Sequence, residues 1–324
     1  MLDYTQFDQV FGSLNPFPFD KSWSQKIESH RRKFDGALFF DRVLGALNLG
    51  QAAKSYPPKN ENALRQLHQQ VCDASNVAMH HKLSILYYLL LDLDERRVEQ
   101  QEQQQQQQQQ RRPSHIDSLA EDFAARAAVP QKYSIFMKGL WLMDAGAFES
   151  ALEYLTHPSL VPDFADDIIV ALARHASSSK NGPTLPLAYY HAVQPILRTS
   201  QAQEALFDAL AQSSISEALA FARARPEFVH QQLFRRLVLG ALDPARPHHD
   251  HGDELASLLL DGDEERWLVE TLSSGPEAKR LRGAKDTLLM RRIARGEVGS
   301  AGEKGKGDWA VVLEGFRAGS GGRA

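Results

Sequence analysis

Four groups of side chains in this 324-residue sequence are of types that do chemistry. His248-His249-Asp250-His251 offers three imidazoles within four residues, the ligand type of zinc and copper. A structural metal site needs a closed shell at fixed spacing. Neighbouring histidines in a loop bounded by Pro247 and Gly252 point in different directions, so the expectation is a solvated loop and no metal. His80-His81 opens an apolar helix, where packing or a surface cap accounts for both rings. Asp92 with Asp94, and Asp166 with Asp167, are carboxylate pairs of the kind that do acid–base work when a cleft shifts one pKa. Asp166 and Asp167 fall at the start of a helix, where the dipole favours negative charge, so capping is sufficient there. Cys72 is the one cysteine; nothing in its neighbourhood (Gln69, Gln70, Asp73) would lower a thiol pKa, and it reads as a small core residue.

The chain has no GxSxG, HExxH, Walker loop or GxGxxG at a strand-to-helix turn. The expectation is therefore a protein without catalytic residues, cofactor or small-molecule substrate. Lys279, Arg280, Arg282, Lys285, Arg291, Arg292 and Arg295 could face phosphates or an import receptor. The favoured reading is a solvated helix face that answers the acidic segment before it. From 247 to 275 eight Asp or Glu stand against Arg266 alone, and from 276 to 324 eleven Lys or Arg stand against six acids. Trp309, Val312, Leu313 and Phe316 sit at i, i+3, i+4 and i+7 behind a Gly-rich linker. That is the anchor pattern of a helix laid in a partner's groove, or of a terminal helix folding back on its own core. At the other end, residues 1–33 read as an aromatic, proline-bearing arm and a short polar helix. Phe7 and Phe11 of this arm are candidate contacts with the core or with a partner.

These groups need elements to position them, and the elements all read as helices. The organising stretch is 130–162. Tyr133, Phe136, Met137, Leu140 and Trp141 form one apolar stripe at helical spacing. Gly146 can take the left-handed conformation that ends a helix. Phe148, Ala151, Leu152 and Leu155 restart the pattern, and His157-Pro158 stops it. Before this hairpin, helices are expected over 34–48, from Asn60 through Val71, over 77–93 as a central core helix, and over 116–127. The glutamine run 100–110 extends the third of these or stays disordered; a length-variable surface insertion is its plainest reading. After the hairpin, helices are expected over 164–176, 185–193, 203–212, 216–225, 228–242, 255–260, 266–272 and 278–294. Nothing alternates apolar and polar residues long enough for a strand. The fold class is all-α: an irregular α-solenoid of antiparallel helix pairs, with a main domain over 34–295 and a tail over 296–324.

Hydrophobic residues make up 43%, enough for a substantial core, and a net charge of −4 gives no global attraction to nucleic acid. One cysteine suits a reducing compartment. The start lacks a signal-peptide pattern, and the apolar run from Ile85 to Leu91 is far too short to span a membrane. The expectation is a soluble intracellular protein.

The sequence also resembles the ELYS-like domain of nuclear pore complex assembly proteins in its stand-alone fungal form, over roughly 34–242. The likeness is carried by Leu38-Phe39-Phe40-Asp41-Arg42-Val43-Leu44, by Pro130-Gln131-Lys132-Tyr133 leading to Gly139-Leu140-Trp141-Leu142-Met143-Asp144, by Phe148-Glu149-Ser150-Ala151-Leu152-Glu153-Tyr154-Leu155, and by Leu187-Ala188-Tyr189-Tyr190. The resemblance implies an α-helical nucleoporin at the nuclear envelope that binds the Y-shaped outer-ring scaffold and helps assemble pores. Larger animal relatives add a β-propeller and a chromatin-binding tail with AT-hooks. Neither has a counterpart in these residues, so the expected partners are outer-ring nucleoporins rather than chromatin.

Overall fold

The computed structural model describes residues 2–108, 118–176, 183–243, 252–273, 280–281, 283–295 and 315. Among the described residues the regular elements are seventeen α-helices, with no strand. They cluster into two compact units: Met1–Leu172 with Ala188–Ile196, and Ala173–Leu187 with Leu197–Ala324.

The first unit holds α1 (Phe7–Phe11), α2 (Lys21–Lys33), α3 (Phe39–Ala46), α4 (Gly50–Ser55), α5 (Glu61–Asp73), α6 (Met79–Gln108), α7 (Leu119–Arg126), α8 (Gln131–Ala145) and α9 (Phe148–Leu155). Its axis is α6, which packs against α5, α7 and α8. From Ile85 to Leu91 every residue of α6 is buried, and a helix apolar on all sides has to be wrapped by others. Past Leu93 the helix turns polar, and Lys26 of α2 bridges Glu95 and Glu99 at 3.0 and 2.8 Å. It then runs on through the glutamines to Gln108. Glutamine is a good helix former, and extending a packed helix requires no new nucleus.

Three expectations change here. The helix predicted over 34–48 begins only at Phe39, because Asp35 and Gly36 take positive φ angles of 57° and 87° and turn the chain first. A further helix, α4, follows it; six residues with Ala52 alone buried leave no periodicity to read. The N-terminal arm is partly helical and folded onto the chain. The spacing of Phe7, Val10 and Phe11 puts all three on one face of a single turn, and all three are buried.

The hairpin of α8 and α9 forms where the pattern placed it. Gly146 ends α8 at φ 80°, and its N–H reaches back to the Met143 carbonyl at 3.0 Å. The buried face of α8 is Met137, Leu140, Met143 and Asp144; Tyr133, Phe136 and Trp141 lie half-buried at its flanks. Gly139 faces α9, and a Cβ there would lie 2.7 Å from Leu155 Cγ, so the two backbones approach more closely than any side chain allows.

The division between the units falls within α10 (Ala165–Ala176) and α11 (Thr184–Val193). The second unit continues with α12 (Ser200–Ser213), α13 (Ile215–Arg223), α14 (Glu227–Ala241), α15 (Gly252–Ser257), α16 (Gly262–Ser273) and α17 (Ala284–Ala294). Helices α12, α13 and α14 pack in succession, α14 packs on α16, and α17 lies against α15 and α16. Thr199 and Ser214 cap α12 and α13 by accepting from the Ala202 and Glu217 N–H groups at 3.3 and 3.2 Å. The basic helix expected from 278 is described from Ala284. Among the described residues no helix is long and apolar enough to cross a membrane.

Candidate docking surfaces around a carboxylate-pinned core

The polar chemistry of the first unit lies inside it. Helix α3 is preceded at its N-cap by Leu38, whose side chain cannot accept the free N–H groups of the first turn. Asp144, in the last turn of α8, supplies the missing acceptor from across the fold. Its carboxylate takes the N–H of Phe39 at 2.7 Å and of Phe40 at 3.0 Å, and the Tyr88 hydroxyl donates to it at 2.8 Å. Asp144 is 4% exposed. The rings of Phe40 and Tyr88 stack over it, with centroids 4.1 Å apart.

Two carboxylates on α6 act alike. Asp92, 2% exposed, accepts from the Tyr56 hydroxyl at 2.8 Å and from Trp141 Nε1–H at 2.9 Å. Asp94 accepts from the Ser118 hydroxyl and from the Leu119 and Ala120 N–H groups at 2.6, 2.9 and 3.1 Å, capping α7. Burial pushes the Asp92 carboxyl up to about 8 and that of Asp144 up to about 7, with their donors pulling the other way. Shifts of this kind mark acid–base sites when a substrate can reach them. Here the chain's own donors occupy the carboxylate oxygens of two enclosed side chains. Asp94 and Asp144 thus cap helices, and Asp92 and Asp144 cross-link the core. Asp166 and Asp167 lie in the first turn of α10 as expected, and Asp167 also pairs with Arg42 of α3.

The other candidates of the first unit fall as follows. His80 and His81 both pack against the Tyr133 ring, at centroid distances of 4.6 and 5.5 Å. Burial pushes the Cys72 thiol up to about 11, away from nucleophilic use. Phe7 and Phe11 are 8% and 3% exposed. The His68 ring meets both edge-on, at 5.6 and 5.9 Å, and the Arg65 guanidinium lies 4.0 Å from the Phe7 centroid. Of the two contacts expected for these rings, with the core or with a partner, the structure shows the first: side chains of α5 cover both.

In the second unit Glu264, with its side chain fully buried, binds Arg223 through a two-pronged pair at 2.8 and 2.7 Å. His230 Nε2 lies 3.0 Å from the same carboxylate, and the Asp261 N–H donates to it at 3.0 Å. Arg291 of α17 is buried and points inward: it pairs with Glu265 and donates to the Leu255 and Ala256 carbonyls at 3.2 and 3.0 Å. One cation of the candidate phosphate face is therefore an internal strut. Outward, Phe228 and Leu259 are exposed. A groove of about 460 Å³ is lined by Glu204, Leu233, Arg235, Arg236 and Asp243. Arg236 in that groove is already held by Asp208 at 2.7 and 2.6 Å and by Glu204 at 2.7 Å.

Trp309, Val312, Leu313 and Phe316 lie outside the described residues, as do His248-His249-Asp250-His251, Lys279 and Arg282. Asp144 was passed over in the sequence because it reads as the end of an apolar stripe. Its partners Phe39, Phe40 and Tyr88 are 56 to 105 positions away, and the one local signal is an acid in the last turn of a helix, where the dipole disfavours negative charge.

A family model described as ELYS, nuclear pore complex assembly, matches residues 37–275, which takes in helices of both units. A curated relative, the uncharacterized protein ely5 of the fission yeast Schizosaccharomyces pombe, is 25% identical over 173 residues. That stretch is 52% of this chain and 50% of the relative, so the match spans about half of each.

Proposed function

The chain belongs to the ELYS family of nuclear pore complex assembly proteins, and from that premise we propose that it is a scaffold nucleoporin without catalytic activity. It docks on the Y-shaped outer-ring complex at the nuclear envelope through protein–protein contacts. The observation that carries this is the family match across 37–275, which covers most of the described helices. The carboxylate-pinned core supports it: buried polar groups are spent on holding helices together, leaving the outside of the helices as the working surface. The C-terminal residues Trp309, Val312, Leu313 and Phe316, at i, i+3, i+4 and i+7, are the proposed contact. Aromatic residues on such a segment suit insertion into a pocket of the scaffold.

Affinity purification of the tagged chain, with fluorescence imaging, tests this. Recovery of outer-ring nucleoporins and a nuclear-rim signal are expected. A diffuse signal with a different set of partners would assign the chain to another assembly. A nucleic-acid role for 279–295 draws no support from Arg291, which faces inward. Steeply salt-dependent binding to DNA or RNA would revive it.

A further inference from the structure

Residues 2–11 are bound to the first unit in the manner of a peptide ligand. Phe7, Val10 and Phe11 form an i, i+3, i+4 face, the anchor spacing of a helix in a groove. Phe7 sits between the Arg65 guanidinium and the His68 ring. Asp8, beside it, pairs with Arg65 at 2.8 Å. The segment's backbone is read as well: His68 Nε2–H donates to the Tyr4 carbonyl at 2.9 Å, and the Cys72 thiol lies 3.7 Å from the same oxygen. Many of the segment's remaining polar contacts are internal. The Thr5 N–H and hydroxyl donate to Asp3, and the Asp3 N–H donates to Gln9.

The chain that follows is anchored separately. Arg96 donates to the Pro18 carbonyl at 3.1 Å and pairs with Asp20 at 3.1 Å, while Phe19 stacks on Trp23. Between the two anchorages Gly12, at φ 66°, begins an exposed link. The contacts of 18–23 are thus made with residues other than those that hold 2–11.

We infer that the α5 groove around Arg65, His68 and Cys72 is a peptide-docking site occupied in cis. In trans it takes an amphipathic helical segment of a partner protein with aromatic or large apolar residues at i, i+3 and i+4 and an acid at i+1. The seated segment defines this chemistry: the cation matches the acid, and the His68 edge meets the aromatic anchors. The tethered copy holds the groove by effective concentration, on the order of millimolar for a short flexible link. A partner segment competes only when it binds more tightly or is itself held nearby. The inference concerns the chemistry of the groove and stands whichever assembly the chain joins.

The test uses the full chain with a protease site inserted between Ser13 and Leu14. After cleavage, a fluorescent peptide of residues 1–13 is added. Uptake by the nicked chain is expected, with about tenfold or more weaker uptake by the uncut chain. Phe7→Ala with Phe11→Ala in the peptide abolishes uptake, and Arg65→Glu in the chain weakens it. The uncut chain carrying Phe7→Ala and Phe11→Ala takes up the wild-type peptide better than the uncut wild-type chain does. A nicked chain that stays folded yet takes up no peptide overturns the inference, as does equal uptake by cut and uncut chains, or unfolding on cleavage. Dimers that appear on concentration and vanish with Phe7→Ala would assign the groove to a second copy and overturn the partner reading.

Discussion

At Asp144 a single carboxylate carries out three tasks: it caps the first turn of α3, ties α8 to it, and satisfies the buried Tyr88 hydroxyl. Removing it leaves two backbone N–H groups and a phenol without acceptors in a dry interior. Asp144→Ala is expected to cost about 3 kcal/mol or more, read as a lower denaturant midpoint, because orphaned buried donors forfeit the full desolvation cost. Phe39 and Phe40 amides should then exchange with deuterium faster than those of α5. The raised carboxyls of Asp92 and Asp144 also set a pH dependence. Between the ordinary carboxylate range and about pH 8, the folded chain holds protons on them that the unfolded chain has released. Their contribution to stability is therefore full below about pH 4, falls as pH rises, and is gone above about pH 8. Each group contributes at most about 1.4 kcal/mol per pH unit. The melting temperature should drop between pH 5.5 and 8.5. Asp92→Asn should flatten the drop without unfolding the chain, since an amide can accept from Trp141 and donate to the Tyr56 hydroxyl oxygen. An unchanged slope in that variant would exclude Asp92 as a source.

Among the elements, the α8–α9 hairpin depends on what is missing at Gly139. The methyl of Gly139→Ala would meet Leu155 Cγ and Cδ2 at 2.7 Å and Tyr154 Cβ at 3.3 Å. Overpacking of this kind costs about 1–3 kcal/mol, and the better helix propensity of alanine returns about 1. The net expectation is a loss of about 0–2 kcal/mol. In a double-mutant cycle with Leu155→Ala the two changes should couple favourably, because removing the isobutyl group opens the space the methyl needs. Simple additivity would show that the helices do not meet there. The hairpin was legible in advance: stripe, glycine stop, restart and proline stop all lie within a few residues of one another. The start of α3 was not. Phe34 to Asn48 carries one apolar pattern throughout, and it is the left-handed turn at Asp35-Gly36 that delays the helix.

For the whole molecule, what counts is which surfaces remain for partners. The first unit spends its N-terminal aromatics on its own groove, and the second turns Arg291 inward. Beside the α5 site, these assignments leave the C-terminal segment and exposed side chains such as Phe228 and Leu259 as the proposed outer contacts. A pull-down of outer-ring proteins with Trp309→Ala and Phe316→Ala should recover at least about tenfold less than wild type if the two rings are hot-spot anchors. Undiminished recovery would remove the tail from the interface and leave the helical surface. Phe228→Asp, on the exposed first turn of α14, is the matching change for that case.

By itself the sequence determined the helical class, the position of most helices and the family, because these rest on short-range spacing: a stripe every three or four residues, a cap, a stop. With Cys72 as the one cysteine, it also excluded a cysteine-rich metal site and a disulfide within these residues by count alone. Only the tertiary structure decided that Asp144 caps a helix 105 positions away, that Asp92 joins Tyr56 to Trp141, and that Phe7 and Phe11 face inward. The physical reason is that a buried polar group is defined by what surrounds it. A carboxylate at a helix end looks the same in sequence whether it faces water or another helix's free amides; folding alone brings those amides to it.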